Sequence, residues 1–206
     1  MANTQAQFGF MPAGVASGRV GNFSLTRRTI AYNQSSQMFR GDPIWSDSNG
    51  NIIPASATQT NPISGIFWGC EYPSATLGQL PVKAKCWLGS SAGAPTNAVV
   101  TAWIIDDPEE LFVVASLGGT RAVAQSDIMS LAEFSAGAGG NTVTGQSSFV
   151  LNDGGISAAT AYPFRIVDLY SNHGIPGTNG TDNTSIYNWA IVKMNNTDRG
   201  YGLAVL

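Results

Sequence analysis

Charge is what this sequence most lacks. Only 11% of its 206 residues are Asp, Glu, Lys or Arg, against about 25% in an average globular domain. Lysine occurs only at Lys83, Lys85 and Lys193, and the net charge is −3. Binding to a nucleic-acid backbone draws on a surplus of Lys and Arg, so no nucleic-acid partner is expected. There is one histidine, His173, and there are two cysteines, Cys70 and Cys86. That leaves little material for histidine-based catalysis or a zinc site, and no cofactor is expected. No apolar run approaches the roughly 18 residues that span a bilayer, so no membrane partner is expected either. The opening stretch, from Met1 to Gln5, has neither a basic nor an apolar leader region, which reads as a chain made in the cytosol. In that reducing compartment Cys70 and Cys86 are expected as buried free thiols.

The nucleotide and hydrolase signatures are missing too. No phosphate-binding glycine loop precedes a helix, and there is neither a Gly-x-Ser-x-Gly elbow nor a His-Glu-x-x-His pair. The nearest glycine run, Gly137-Ala138-Gly139-Gly140, reads as a flexible turn. His173, in a polar loop, reads as a solvated side chain. The densest acidic group is Asp106, Asp107, Glu109 and Glu110, on either side of Pro108. Paired carboxylates serve glycoside hydrolysis or calcium binding. Adjacent acids at a strand–proline turn point in different directions, however, so a surface turn is expected. Arg40-Gly41-Asp42 spells an adhesion tripeptide, but here it reads as a strand-edge turn leading into Pro43. The protein is therefore expected not to be an enzyme.

Neutral polar residues stand where the charge is missing: 20 Ser, 16 Thr, 15 Asn and 8 Gln, beside 24 Gly and 10 Pro. Hydrophobic residues still make up 43%, too many for a disordered chain. The composition indicates an all-β protein with many turns. Strand patterns fall at 25–32, 38–45, 63–72, 82–88, 98–105, 111–115, 147–151, 162–170 and 187–194. Segment 66–70 (Ile-Phe-Trp-Gly-Cys) suits a strand buried on both faces. In 82–88, Val82, Ala84, Cys86 and Leu88 alternate with Lys83, Lys85 and Trp87, which puts Trp87 on the charged face as a candidate interface anchor. One short helix is expected at 126–134, capped by Ser126 and striped by Ile128, Leu131 and Ala132. Nine or ten short strands with one short helix predict a jelly-roll-like sandwich or a distorted barrel.

Residues 1–24 show neither strand nor helix period, yet carry Phe8, Phe10, Met11, Val15, Val20 and Phe23. They read as an extended N-terminal arm, ordered by lying on its own domain or on a neighbour, with 25–206 as a single β domain. These six apolar residues and Trp87 are the candidate capsid and inter-subunit contacts.

The capsid expectation rests on a resemblance. The run FGFMPAG, then TIAYNQSSQMFRGDPIW, GIFWGCEY, WIIDDPEELFVV, SDIMSLAEF, GQSSFVL, YPFRIVDLY and NWAIVKMN resembles, in that order, a family of tailed-bacteriophage capsid decoration or cement proteins. The resemblance covers nearly the whole chain, and the order of the motifs carries it. The Gly/Asn-rich loop at 171–185 departs from the family pattern. The resemblance implies a non-enzymatic protein on the outer surface of the virion, bridging major capsid proteins and pairing with itself as a dimer or trimer. The alternative is a tail- or fibre-associated module that binds a receptor glycan.

Overall fold

The computed structural model describes residues 3–15, 24–56, 62–137, 139–157, 162–170 and 181–198. Its strands are β1 (Met11–Val15), β2 (Leu25–Ile30), β3 (Met38–Phe39), β4 (Pro43–Ser46), β5 (Ile52–Pro54), β6 (Gly65–Pro73), β7 (Pro81–Ala84), β8 (Cys86–Trp87), β9 (Val100–Ile105), β10 (Glu110–Ala115), β11 (Leu131–Ala132), β12 (Phe134–Ser135), β13 (Val150–Leu151), β14 (Phe164–Leu169) and β15 (Trp189–Met194). A five-stranded sheet runs β1-β10-β15-β14-β11. A six-stranded sheet contains β2-β9-β6-β4-β5, with β7 also paired to β6. Every pairing between these strands is antiparallel. The protein is an all-β sandwich, as the composition predicts.

Alternation builds the core. On β9, Val100, Ala102 and Ile104 face one way, with Thr101, Trp103 and Ile105 opposite. Ile105 and Ile66 meet Phe112, Val114, Phe164, Ile166 and Val192 of the five-stranded sheet. The other side of the six-stranded sheet carries a second core of Ile30, Phe67, Cys70, Val100, Ala102 and Ile104. The β3–β8 ribbon covers it with Met38 and Trp87. β6 is thus buried on both faces, as its apolar run predicts.

Two expectations need correction. The helix at 126–134 does not form. A 3₁₀ turn spans Gln125–Asp127, and the chain then becomes β11, paired with β14. Sheet bonding wins here: Met129 N–H donates to Ile166 O at 2.8 Å, and Ile166 N–H to Ser130 O at 3.0 Å. Trp87 does not share a face with the lysines. The chain bends at Lys85, β8 leaves the line of β7 to pair with β3, and Cys86 and Trp87 are both buried.

The N-terminal segment is expected to lie on its own domain or on a neighbour, and the described part takes the first course. Residues 3–15 lie on their own body. β1 extends the five-stranded sheet beside β10, and Phe10 is fully buried, stacked on Phe164 at 4.2 Å between ring centroids. Gly9, at φ +73, turns the chain inward, where a side chain would strike Ser147. Phe10 N–H then donates to Gly41 O at 3.0 Å.

Candidate functional site

The N-terminal segment builds one candidate surface. Phe8 meets the Trp189 ring edge-on at 4.8 Å, and the Tyr170 ring lies tilted against Trp189 at 5.2 Å. Met11 pairs with Val113, and Val113 with Ile191. Paired residues share a sheet face, so Met11, Val113 and Ile191 form a half-buried apolar row on the outside of the five-stranded sheet. Phe8, Met11, Val113, Tyr170 and Trp189 line a shallow hollow of about 400 Å³ there. The Trp189 Nε1–H is buried without an acceptor.

Of the predicted contact residues, Phe8 and Met11 therefore come together on one face. Phe10 is withdrawn into the core, and its earlier placement at an interface is corrected: its neighbours Gly9 and Gly41 let it dive below the sheet. Trp87 is likewise withdrawn, with its Nε1–H donating to Gln34 O at 3.1 Å and its ring edge-on to Tyr72 at 5.4 Å. Val15 ends β1, opposite Glu110. Val20 and Phe23 lie outside the described residues, as does His173.

A second surface was not visible as a motif. β2, β9 and β6 present Arg27, Trp103 and Gly69 in one cross-strand row. A bulge in β6 between Phe67 and Gly69 turns Trp68 toward the same region. The Arg27 guanidinium lies 4.7 Å from the Trp103 ring centre, and that of Arg40 lies 4.4 Å from Trp68. Arg40 Nε–H donates to Trp68 O at 3.1 Å, filling the gap on the edge of β6 between its pairings with β4 and β7. Partial burial lowers the Arg40 pKa from its usual value, well short of discharging a guanidinium. Arg40, Trp68, Gly69 and Trp103, together with Leu25, Lys83 and Lys85, line an open groove of about 320 Å³, with Arg27 beside it on Trp103.

The acids do not converge. Asp106 is buried, accepts from the Thr26 hydroxyl at 2.8 Å and pairs with Arg28 at 3.6 Å. Asp107 accepts the Glu109 N–H at 2.9 Å, and Glu109 reaches Lys193 at 3.5 Å. Glu110 is buried; desolvation first, and Asp107 second, push its pKa up. The cluster is the crossover from β9 in one sheet to β10 in the other. The adhesion tripeptide dissolves in the same way. Arg40 lies on Trp68, whereas Asp42 is buried and accepts the Phe39 N–H at 2.7 Å.

The Cys70 and Cys86 thiols are free and buried. Cys70 donates to Cys86 O at 3.4 Å. Burial, reinforced by Cys86, pushes the Cys70 pKa up to about 12, which keeps it an unreactive thiol. Among the described residues no group of three or more His, Cys, Asp or Glu could hold a metal ion.

Fold and surfaces together define a β-sandwich with an apolar outer face on one sheet and a cationic, tryptophan-lined groove on the other. No protein-family model, no curated protein and no solved structure matches the chain.

Proposed function

We propose that the protein is a non-enzymatic structural component of a tailed-phage virion that binds the outer capsid surface. On this reading the outside of the five-stranded sheet docks on the major capsid protein or on a second copy of the chain. One observation carries it: the N-terminal segment folds back to complete an apolar, aromatic sheet face of Phe8, Met11, Val113, Trp189 and Ile191. Aromatic and Met side chains with few charges suit the centre of a protein interface. The order of the sequence motifs and the low charge of the whole chain support the same reading.

The contact uses a sheet face rather than a strand edge. β1 is the edge strand, but it contains Pro12 and an irregular register between Pro12 and Gly14. Proline and a bulge blunt an edge against further strand addition. Many weak contacts on one shell would reinforce one another through avidity.

Copy number per purified virion, measured by quantitative mass spectrometry against the most abundant head protein, tests the proposal. Near-stoichiometric abundance is the expected result. A handful of copies would move the protein to the tail or a vertex, and absence from the particle would overturn the structural reading.

A further inference from the structure

We propose that the groove between Trp68 and Trp103 is a binding site for an acidic carbohydrate, a glycan carrying carboxylate groups. It lies on the six-stranded sheet and so does not depend on the reading of the other sheet as a docking face.

Charge is the first argument. The protein is acidic overall, yet four of its ten Lys and Arg residues line or flank this groove: Arg27, Arg40, Lys83 and Lys85. The only carboxylate bonded to any of them, among the described residues, is Glu71, 3.8 Å from Lys83. Arg27 and Lys85 have no acidic partner there, and Arg40 spends only Nε, on a backbone carbonyl. In a chain this poor in cations, leaving three of them without a counter-ion on one concave surface creates a local field for an anion.

Geometry is the second. Stacking on a tryptophan uses the face of a guanidinium and leaves its in-plane N–H groups free. The guanidinium carbons of Arg27 and Arg40 lie 4.7 and 4.4 Å from the Trp103 and Trp68 ring centres, which holds both cations at the groove before a ligand arrives. The forked donors match a carboxylate in two-point contact. Gly69 lies beside Trp103 in the same cross-strand row, where a side chain would come within 2.9 Å of the Ala84 carbonyl oxygen, so the glycine lets the end of β7 close against β6 at the groove.

The lining then selects among carboxylates. Apart from the cations it is apolar: Leu25, Trp68, Trp103 and Ala84. A sugar ring presents a flat face of C–H groups to such a surface and keeps its hydroxyls at the rim, in water. A peptide laid over the same sheet face would leave main-chain N–H and C=O groups against apolar walls, at a desolvation cost. Across the groove floor the β6 edge is already closed, by Arg40 at Trp68 O and by the pairing of Cys70 with Ala84.

The test is calorimetric titration of the full-length protein with tetragalacturonate, with neutral cellotetraose and with tetraglutamate. Tetragalacturonate is expected to bind about tenfold tighter than either of the others, and more weakly as salt rises. Arg27→Ala and Trp103→Leu are each expected to weaken it by about tenfold. Arg27 is exposed and makes no internal hydrogen bond among the described residues, so Arg27→Ala is expected to melt like the parent. Equal binding of cellotetraose, equal or tighter binding of tetraglutamate, affinity unchanged in a folded Arg27→Ala, or no heat from tetragalacturonate at about 10 mM would each overturn the proposal.

Discussion

Asp42 holds a carboxyl group where water does not reach, and this makes stability depend on pH in an uncommon direction. The residue is 2% exposed. Its Oδ1 has no geometric hydrogen-bond partner, whereas Oδ2 accepts the Phe39 N–H at 2.7 Å. No ion pair is formed by it among the described residues. Burial pushes the pKa from 3.8 up to about 7; the Ser147 hydroxyl and the Phe39 N–H pull it down only partly. The folded state therefore keeps its proton between about pH 4 and 7 while the unfolded chain gives it up. Stability from this residue is complete below pH 3.8 and is lost as pH rises to about 7. The loss is about 1.4 kcal/mol per pH unit, or about 4 kcal/mol in total.

Asp42→Asn isolates that effect. The amide supplies an oxygen for the Phe39 N–H and an N–H in place of the carboxylic proton, and it does not titrate. Urea unfolding at pH 4.5, 6 and 8 is the assay. The two proteins should be close in stability at pH 4.5, and the variant should be the more stable at pH 8. For a chain of this size the difference at pH 8 corresponds to a melting-temperature gap of roughly 10 °C. Parallel stability profiles for the two proteins across this range would refute the reasoning, because every other titrating group is common to both.

Three further predictions concern packing, the N-terminal segment and the loop at 117–124. Phe10→Ala removes a fully buried ring stacked on Phe164 and should cost about 3–5 kcal/mol in denaturant unfolding. Removal of residues 1–24 should destabilise the body at least as much, since β1 goes too. At Asp153 burial raises the pKa, but the N–H groups of Arg121, Thr120 and Gly119 outweigh it and hold the carboxyl below its ordinary value. Asp153→Asn should cost about 1–3 kcal/mol near neutral pH. Because a lowered pKa stabilises only above the unfolded value, that cost should shrink in unfolding experiments as pH falls below about 4.

The β architecture was legible because strands of this protein alternate over several residues and end at strong turns. β9 and β15 show this best: Val100, Ala102 and Ile104 share one core, and Ala190, Val192 and Met194 another. The reading failed where a strand was too short to carry a period. β8 and β11 have two residues each, so tertiary hydrogen bonds, not alternation, decide which way Trp87 and Leu131 face. The placing of Phe10 at an interface failed for a related reason. Phe10 is turned into the core by Gly9, which puts its ring out of step with any extended pattern.

The local motifs and the functional surfaces behave in opposite ways. Residues that stood out by adjacency, the acids at 106–110 and the tripeptide at 40–42, do not act as units: the acids form a crossover between sheets, and the tripeptide splits into Arg40 at the groove and Asp42 as a buried carboxyl under the N-terminal segment. The surfaces that can meet a partner are assembled from residues scattered along the chain. Phe8 reaches Trp189 across most of the sequence, and the groove gathers Arg27, Arg40, Trp68, Lys85 and Trp103. No spacing rule links those positions, because strand order sets their proximity: β9 lies between β2 and β6 although β6 precedes it in the chain. A sheet face is a two-dimensional motif, and its sequence signature appears only once the order and register of the strands are known. Trp103 shows the difference most directly. In sequence it is one aromatic in an apolar strand and reads as core, but the register sets it between Arg27 and Gly69, on a face that water and an anion can share.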